Sequence, residues 1–213
     1  SDTVSSVTAR LNNMNDGLQT TAELNNMIFA SAQRSRGSYL ETANLVTQLG
    51  SMAKDAFSSS QEIVAFAELL NKQLVISGAS GSSASAAIFQ LQQALASGVL
   101  RGEELNSVLE QAPVIAQTIA DYLGVSMGEL RELGSQGAIT ADVVKNAMFS
   151  AADETNAKFA EMPMTWSQVF TTFGNYAIQA LQPLLTALSW LANNIEIIGP
   201  LVLGAAGAFA VFP

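Results

Sequence analysis

The feature that most restricts this chain is a helix-start signature that recurs along it. Thr20 with Glu23, Ser38 with Glu41, Ser59 with Glu62, Ser126 with Glu129 and Thr165 with Gln168 each set a hydroxyl three residues before a carboxylate or amide. In such a capping box the hydroxyl accepts the backbone N–H of the third helical residue, whose side chain returns to the cap N–H. Behind the boxes, apolar residues recur at i, i+3 and i+4: Leu24, Met27 and Ile28; then Leu45, Val46, Leu49, Met52 and Ala53 through to Phe57; then Ile63, Phe66, Ala67, Leu70 and Leu74. That is the period of a helix with one buried face, and it is hard to obtain in a β protein. The expected fold is all-α, a multi-helix bundle of short helices. The first 19 residues carry a thin stripe (Val4, Val7, Leu11, Met14, Leu18) and read as a helix with a narrow core face.

Turn signals are densest between Gln93 and Val144. Gly98 is read as a left-handed stop for one helix. Gly102 to Gln111 forms the next, opened by Glu103 and Glu104, which suit the positive helix end. Pro113 starts a third at a position where a missing N–H costs nothing, and Gly124 ends it. Ser126 and Glu129 cap a fourth, which Gly134 or Gly137 stops, and Thr140 caps a helix running to Phe159. Upstream, the run SGASGSS (77–83) reads as a corner between helices. It is no phosphate loop, because no strand precedes it and no Lys-Ser or Lys-Thr follows.

Composition removes several functions. The net charge is −9, and the nine Lys and Arg are scattered, with Arg34 and Arg36 the only close pair. A direct nucleic-acid site needs clustered cations, and none is seen. The chain has no His and no Cys. The common zinc sites, disulfides, and Ser-His-Asp or Cys-His catalysis are therefore excluded. Carboxylate pairs remain, Glu103 with Glu104 and Glu110 with Asp121, but the helix dipole accounts for the first pair. The expectation is no enzyme, no cofactor and no metal. The start, SDTVSSVTAR, lacks a basic region followed by an apolar run, so it does not read as a signal peptide. Asn12, Asn13, Asn25 and Asn26 read as solvated helix faces.

Past Lys158 the composition shifts. From Met162 to Pro213 the only charged side chain is Glu196. Met162-Pro163 breaks one helix, and Thr165 opens a longer one. On it Trp166, Phe170, Phe173, Ala177, Ala180, Leu184, Ala187 and Leu191 keep strict 4-3 spacing, the seam of a coiled coil or bundle. Leu181, Leu185 and Leu188 widen that stripe, favouring a buried bundle helix with Trp166 in the core; Trp190 fits either a core or a membrane interface. Pro183 is expected to kink or split the helix. Residues 195–213 (IEIIGPLVLGAAGAFAVFP) are nearly all apolar, but the uncharged run from Ile197 to Phe212 is 16 residues long, short of the ~20 that span a bilayer. The pattern stops in mid-course at Pro213, so the chain is read as cut from a longer one. Three parts result: an N-terminal helical region (1–60), a helical domain dense in motifs (61–161), and a long apolar C-terminal helical segment (162–213).

Three linked segments, SGVLRGEELNSVLEQAP (97–113), LGVSMGELRELGSQGAITADVV (123–144) and FAEMPMTWSQVF (159–170), resemble the tape-measure domain of tailed-bacteriophage and prophage tail proteins. The upstream LLNKQLVISGASGSSASAAIFQLQQALASG (69–98) resembles it too, so the likeness covers about Gln61 to Ala180. Its signature falls on Gly98, Arg101, Gly102, Glu103, Leu105, Asn106, Glu110, Pro113, Gly124, Ser126, Glu129, Thr140, Pro163 and Trp166, each with a structural role. The resemblance implies a structural assembly protein that sets tail length and multimerises inside the tail tube. It also implies contacts with the tail tube protein, tail assembly chaperones and tail tip proteins. Its expected places are the virion tail lumen, the host cytoplasm during assembly and the host envelope during DNA ejection. The alternative reading is a membrane-active helical protein, a pore or DNA-ejection channel, in contact with membrane through 195–213.

Overall fold

The computed structural model describes residues 2–193. Among them are eleven α-helices: α1 (Asp2–Met14), α2 (Thr21–Arg34), α3 (Tyr39–Met52), α4 (Ser60–Ile76), α5 (Gly81–Ser97), α6 (Gly102–Gln111), α7 (Pro113–Leu123), α8 (Met127–Ser135), α9 (Ala141–Ser150), α10 (Ala152–Glu161) and α11 (Trp166–Asn193). The all-α expectation holds, with one small addition. Two-residue strands, β1 (Val99–Leu100) and β2 (Ile139–Thr140), pair antiparallel with Val99 opposite Thr140. Neither strand is long enough to leave a periodic trace in the sequence.

Helix α4 is the centre, with α2, α3, α7, α9 and α10 packed around it. It buries Ile63, Val64, Phe66, Ala67, Leu69, Leu70 and Leu74, and also Lys72 and Gln73. Each large apolar side chain so buried contributes about 1.5–3 kcal/mol. Phe66 meets Phe57 and Phe149 edge-on, with ring centroids 5.3 and 6.3 Å away. The buried polar groups of α4 are matched from its neighbours. Lys72 Nζ donates to Glu68 Oε1 on its own helix and to Asn156 Oδ1 on α10, both at 2.7 Å. Glu68 also takes two guanidinium nitrogens of Arg34, the closer at 2.7 Å. Burial opposes ionisation of Glu68, yet hydrogen bonds and charge from Arg34 and Lys72 outweigh it and hold the carboxyl below its ordinary value.

The boxes at Thr20 and Ser126 close in both directions, and Thr165 and Gln168 exchange the same two bonds. Two boxes differ from expectation. Ser59 caps Glu62 N, but the Glu62 carboxylate returns to the Ser58 N–H and hydroxyl, one residue early. Ser38 makes no side-chain cap bond. The Tyr39 N–H is instead taken by Asn175 Oδ1 of α11 at 2.8 Å, a partner supplied from far along the chain.

Other boundaries shift for packing reasons. The helix of Leu45 and Val46 ends at Met52, not Phe57, and a 3-10 turn (Lys54–Ala56) follows that leaves Met52 exposed. The corner at 77–83 is shorter than read: Ser80 caps α5, which begins at Gly81. The helix read from Thr140 to Phe159 is two helices, broken at Ala151. The break lets α9 lie on α7 while α10 turns onto α4, where Gln73 Nε2 donates to Thr155 Oγ1 at 3.0 Å. Helix α11 runs through Pro183 without being split.

The largest departure concerns the seam of α11. A buried bundle helix was expected, but Trp166 is 79% exposed, Phe170 and Phe173 are each 70% exposed, and Leu184 is also exposed. Trp190 faces outward as well. The long apolar C-terminal segment finds no further support. No helix among the described residues is long and apolar enough to cross a membrane, and the reading of 195–213 lies outside the described residues.

Candidate functional site

The signature residues between Gly98 and Thr140 gather into one module. Gly98 takes a φ of 85° to end α5, and its carbonyl accepts the Ala141 N–H at 2.8 Å beside the β1–β2 pair. Helices α6, α7 and α8 form the excursion between the strands. Pro113 stands in the first turn of α7, Gly124 ends that helix with a φ of 67°, and Thr140 caps α9 through Val143 N. The stop after α8 is Gly137, also at 67°; Gly134 lies inside the helix. There it admits Leu105, whose Cδ2 would be 2.6 Å from a Cβ added at Gly134. Gly102 likewise faces the Ser135 backbone. Backbone and hydroxyl bonds from Ser126 hold the Glu129 carboxyl below its ordinary value.

The remaining signature side chains divide clearly. Leu105 is fully buried, while Arg101, Glu103, Asn106 and Glu110 lie on the surface of the module. Arg101 occupies the cap position of α6 without a side-chain cap bond. Pro163 and Trp166 are not part of this cluster; they sit at the entry to α11. Of the basic pair, Arg34 binds Glu68, and Arg36 lies 4.4 Å above the Phe159 ring while donating to Met162 O at 2.8 Å. Both arginines therefore tie helices together. Asp121 accepts from Gln117 Nε2 at 2.7 Å. Among the described residues no group of three or more Asp or Glu could hold a metal ion.

The second part of the site is α11, attached by its polar side. Asn175 is buried; its Nδ2 donates to Gly37 O at 2.7 Å and its Oδ1 accepts from Tyr39 N at 2.8 Å. One heptad later, Gln182 Oε1 accepts from Asn25 Nδ2 at 3.3 Å, and Asn25 Oδ1 takes the Tyr39 hydroxyl at 2.5 Å. Tyr39 stacks flat on Phe29, ring centroids 3.7 Å apart, and burial pushes its hydroxyl pKa up to about 12. The reading of Asn25 as a solvated residue is thus corrected: it is the middle of a polar latch between α2, α3 and α11. The signal was present in the sequence, since Gln168, Asn175 and Gln182 recur every seven residues opposite the apolar seam.

With 3.6 residues per turn, Asn175 falls on the side of α11 opposite Phe173 and Ala177. The helix thus lays Asn175 and Gln182 on the bundle and turns outward a row of aromatic, alanine and leucine side chains with no charge among them. Such a surface has no chemistry for bond making; it suits contact with another apolar surface.

The family model described as tape measure protein matches residues 1–184, which covers α1 to α10, the signature module and most of α11. No curated protein and no solved structure matches the chain. The family is structural, not catalytic, and its members are components of phage tails. By a match over most of its length, this all-α chain belongs to the tape measure protein family.

Proposed function

We propose that this domain is the compact assembly head of a tail length tape measure, and that it helps the protein multimerise inside the tail tube. The observation that carries the reading is the family match across residues 1–184. The fold supports it: a packed bundle of short helices gives way to one helix of 28 residues with an uncharged outer face. The tail tube protein, tail assembly chaperones and tail tip proteins are the proposed partners. The surface side chains of the signature module, Arg101, Glu103, Asn106 and Glu110, are the proposed places for such contacts. The proposed setting is the tail lumen of the virion, reached from the host cytoplasm during assembly.

A helix rises about 1.5 Å per residue, so a ruler read by helical length adds roughly 100 Å for 70 residues. Inserting a helical stretch of about 70 residues after Asn193, in the gene as the phage carries it, tests this. Negative-stain microscopy should show tails longer by about 100 Å. Tails of unchanged length, on infectious particles, would refute the ruler reading.

A further inference from the structure

We infer that the outward seam of α11 is the surface through which one copy of this chain binds another, the seams pairing with each other as in a coiled coil. The inference rests on the multimer proposed above and says which face makes it. Seven described seam positions, Trp166, Phe170, Phe173, Ala177, Ala180, Leu184 and Ala187, are all exposed. They keep 4-3 spacing without a slip, the repeat that sets a knob of one helix into a hole of an equivalent helix. The latch leaves this row free, because Asn175 and Gln182 engage the bundle from the other side.

Charge selects the occupant. The chain carries a net −9, so two copies repel over most of their surfaces. From Met162 to Asn193 no Asp, Glu, Lys or Arg occurs, so the seam is where close approach of two copies costs least. The same absence argues against an anionic membrane surface, whose amphipathic helices carry Lys and Arg on the polar face. It also argues against a charged protein partner, since the seam offers nothing complementary. Size is sufficient. Aromatic side chains bury about 150 Å² or more each, so the six seam rings of two copies supply roughly 900 Å² before Leu184 and the alanines are added. Specific interfaces begin near 1,200 Å² in total.

The test is sedimentation equilibrium of the 213-residue chain over a range of micromolar concentrations. The expected result is a mass of two monomers or more, falling on dilution. Phe170→Glu with Phe173→Glu should weaken association by on the order of a hundredfold, with the helical circular dichroism unchanged because both side chains are exposed. Phe89→Glu, at an exposed aromatic on α5, should leave association intact. A wild-type chain that stays monomeric overturns the inference, as does a seam variant that associates like the wild type. Flotation of the monomer with anionic vesicles, without self-association, would assign the seam to a membrane and overturn it as well. None of these outcomes depends on tail length, so the ruler reading stands or falls separately.

Discussion

The latch under α11 makes a quantitative claim. Asn175→Ala removes two hydrogen bonds, Asn175 Nδ2 to Gly37 O and Tyr39 N to Asn175 Oδ1. Each is worth about 1 kcal/mol net, and leaving the Tyr39 N–H without a partner at a buried position adds about 1–3 kcal/mol. The Ser38 side chain makes no cap bond that would take over. The sum is on the order of 3–5 kcal/mol, and it falls on the docking of α11, because both bonds join that helix to the bundle. What remains is the Asn25–Gln182 bond, the Arg36 bond to Met162 O and the half-buried Ile178. At about 1.4 kcal/mol per factor of ten, open α11 becomes roughly 100- to 4,000-fold more populated. Hydrogen exchange read by mass spectrometry should therefore accelerate by that factor over 166–182 and at the start of α3. Peptides from α4 and α9 should stay as protected as before. The measurement belongs in the Phe170→Glu/Phe173→Glu background, where self-association adds no protection. Exchange over 166–182 within threefold of the parent would refute the latch.

Other expectations follow from the same contacts. Glu68→Gln strips Lys72 of its counter-ion at a side chain only 8% exposed, which should cost roughly 3 kcal/mol and lower the calorimetric Tm by roughly 6–12 °C. Because the folded Glu68 pKa lies below its ordinary 4.5, its contribution is complete above that value and lost as pH falls through the lowered one. Acid denaturation of Glu68→Gln should accordingly be shallower there than that of the parent. Tyr39 has the opposite sign: it stays neutral in the fold up to about 12 against 10.0 outside it. Stability should fall as pH rises from about 10, and Tyr39→Phe should remove that slope in alkaline melts. Gly50→Ala places a Cβ 2.9 Å from Met14 Cβ, forcing α1 off α3 at about 1–3 kcal/mol in a urea titration. Pro183→Ala restores a backbone donor inside α11 and should raise helical circular dichroism, with up to ~3 kcal/mol gained locally.

Much of this fold could be read because its helix ends are local events. A hydroxyl and a carboxylate or amide three residues apart close a cap with little help from the rest of the chain, so Thr20, Ser126 and Thr165 behaved as their spacing required. Gly98 and Gly124 did so for the same reason. Sequence failed where a distant residue took a local role. Ser38 and Glu41 have the spacing of a box, but Ser38 makes no cap bond, and Asn175 binds the neighbouring Tyr39 N–H from 136 residues away. The split at Ala151 was hidden because α9 and α10 each continue a helical pattern, and only their different neighbours require a bend. The seam of α11 was correctly recognised as periodic but wrongly placed in the core of the chain. Periodicity says that a face wants an apolar partner, not which molecule supplies it. The opposing amide row at 168, 175 and 182 held that answer. Glutamines and asparagines at heptad intervals mark the side that binds the bundle.

The antiparallel pairing at Val99 and Thr140 has a consequence of another kind. Directly opposed residues in such a ladder stand about 5 Å apart, so the chain leaves the bundle and re-enters it through one doorway. Helices α6 to α8 form a cassette between its posts, with α7 packed on α4 and α9 and the α7–α8 corner exposed at Gly124. Extra residues at that corner lengthen a loop whose closure costs only about 0.6 kcal/mol per doubling, and they displace neither post. A lineage can therefore redesign what the cassette presents outward while every helix beneath keeps its register.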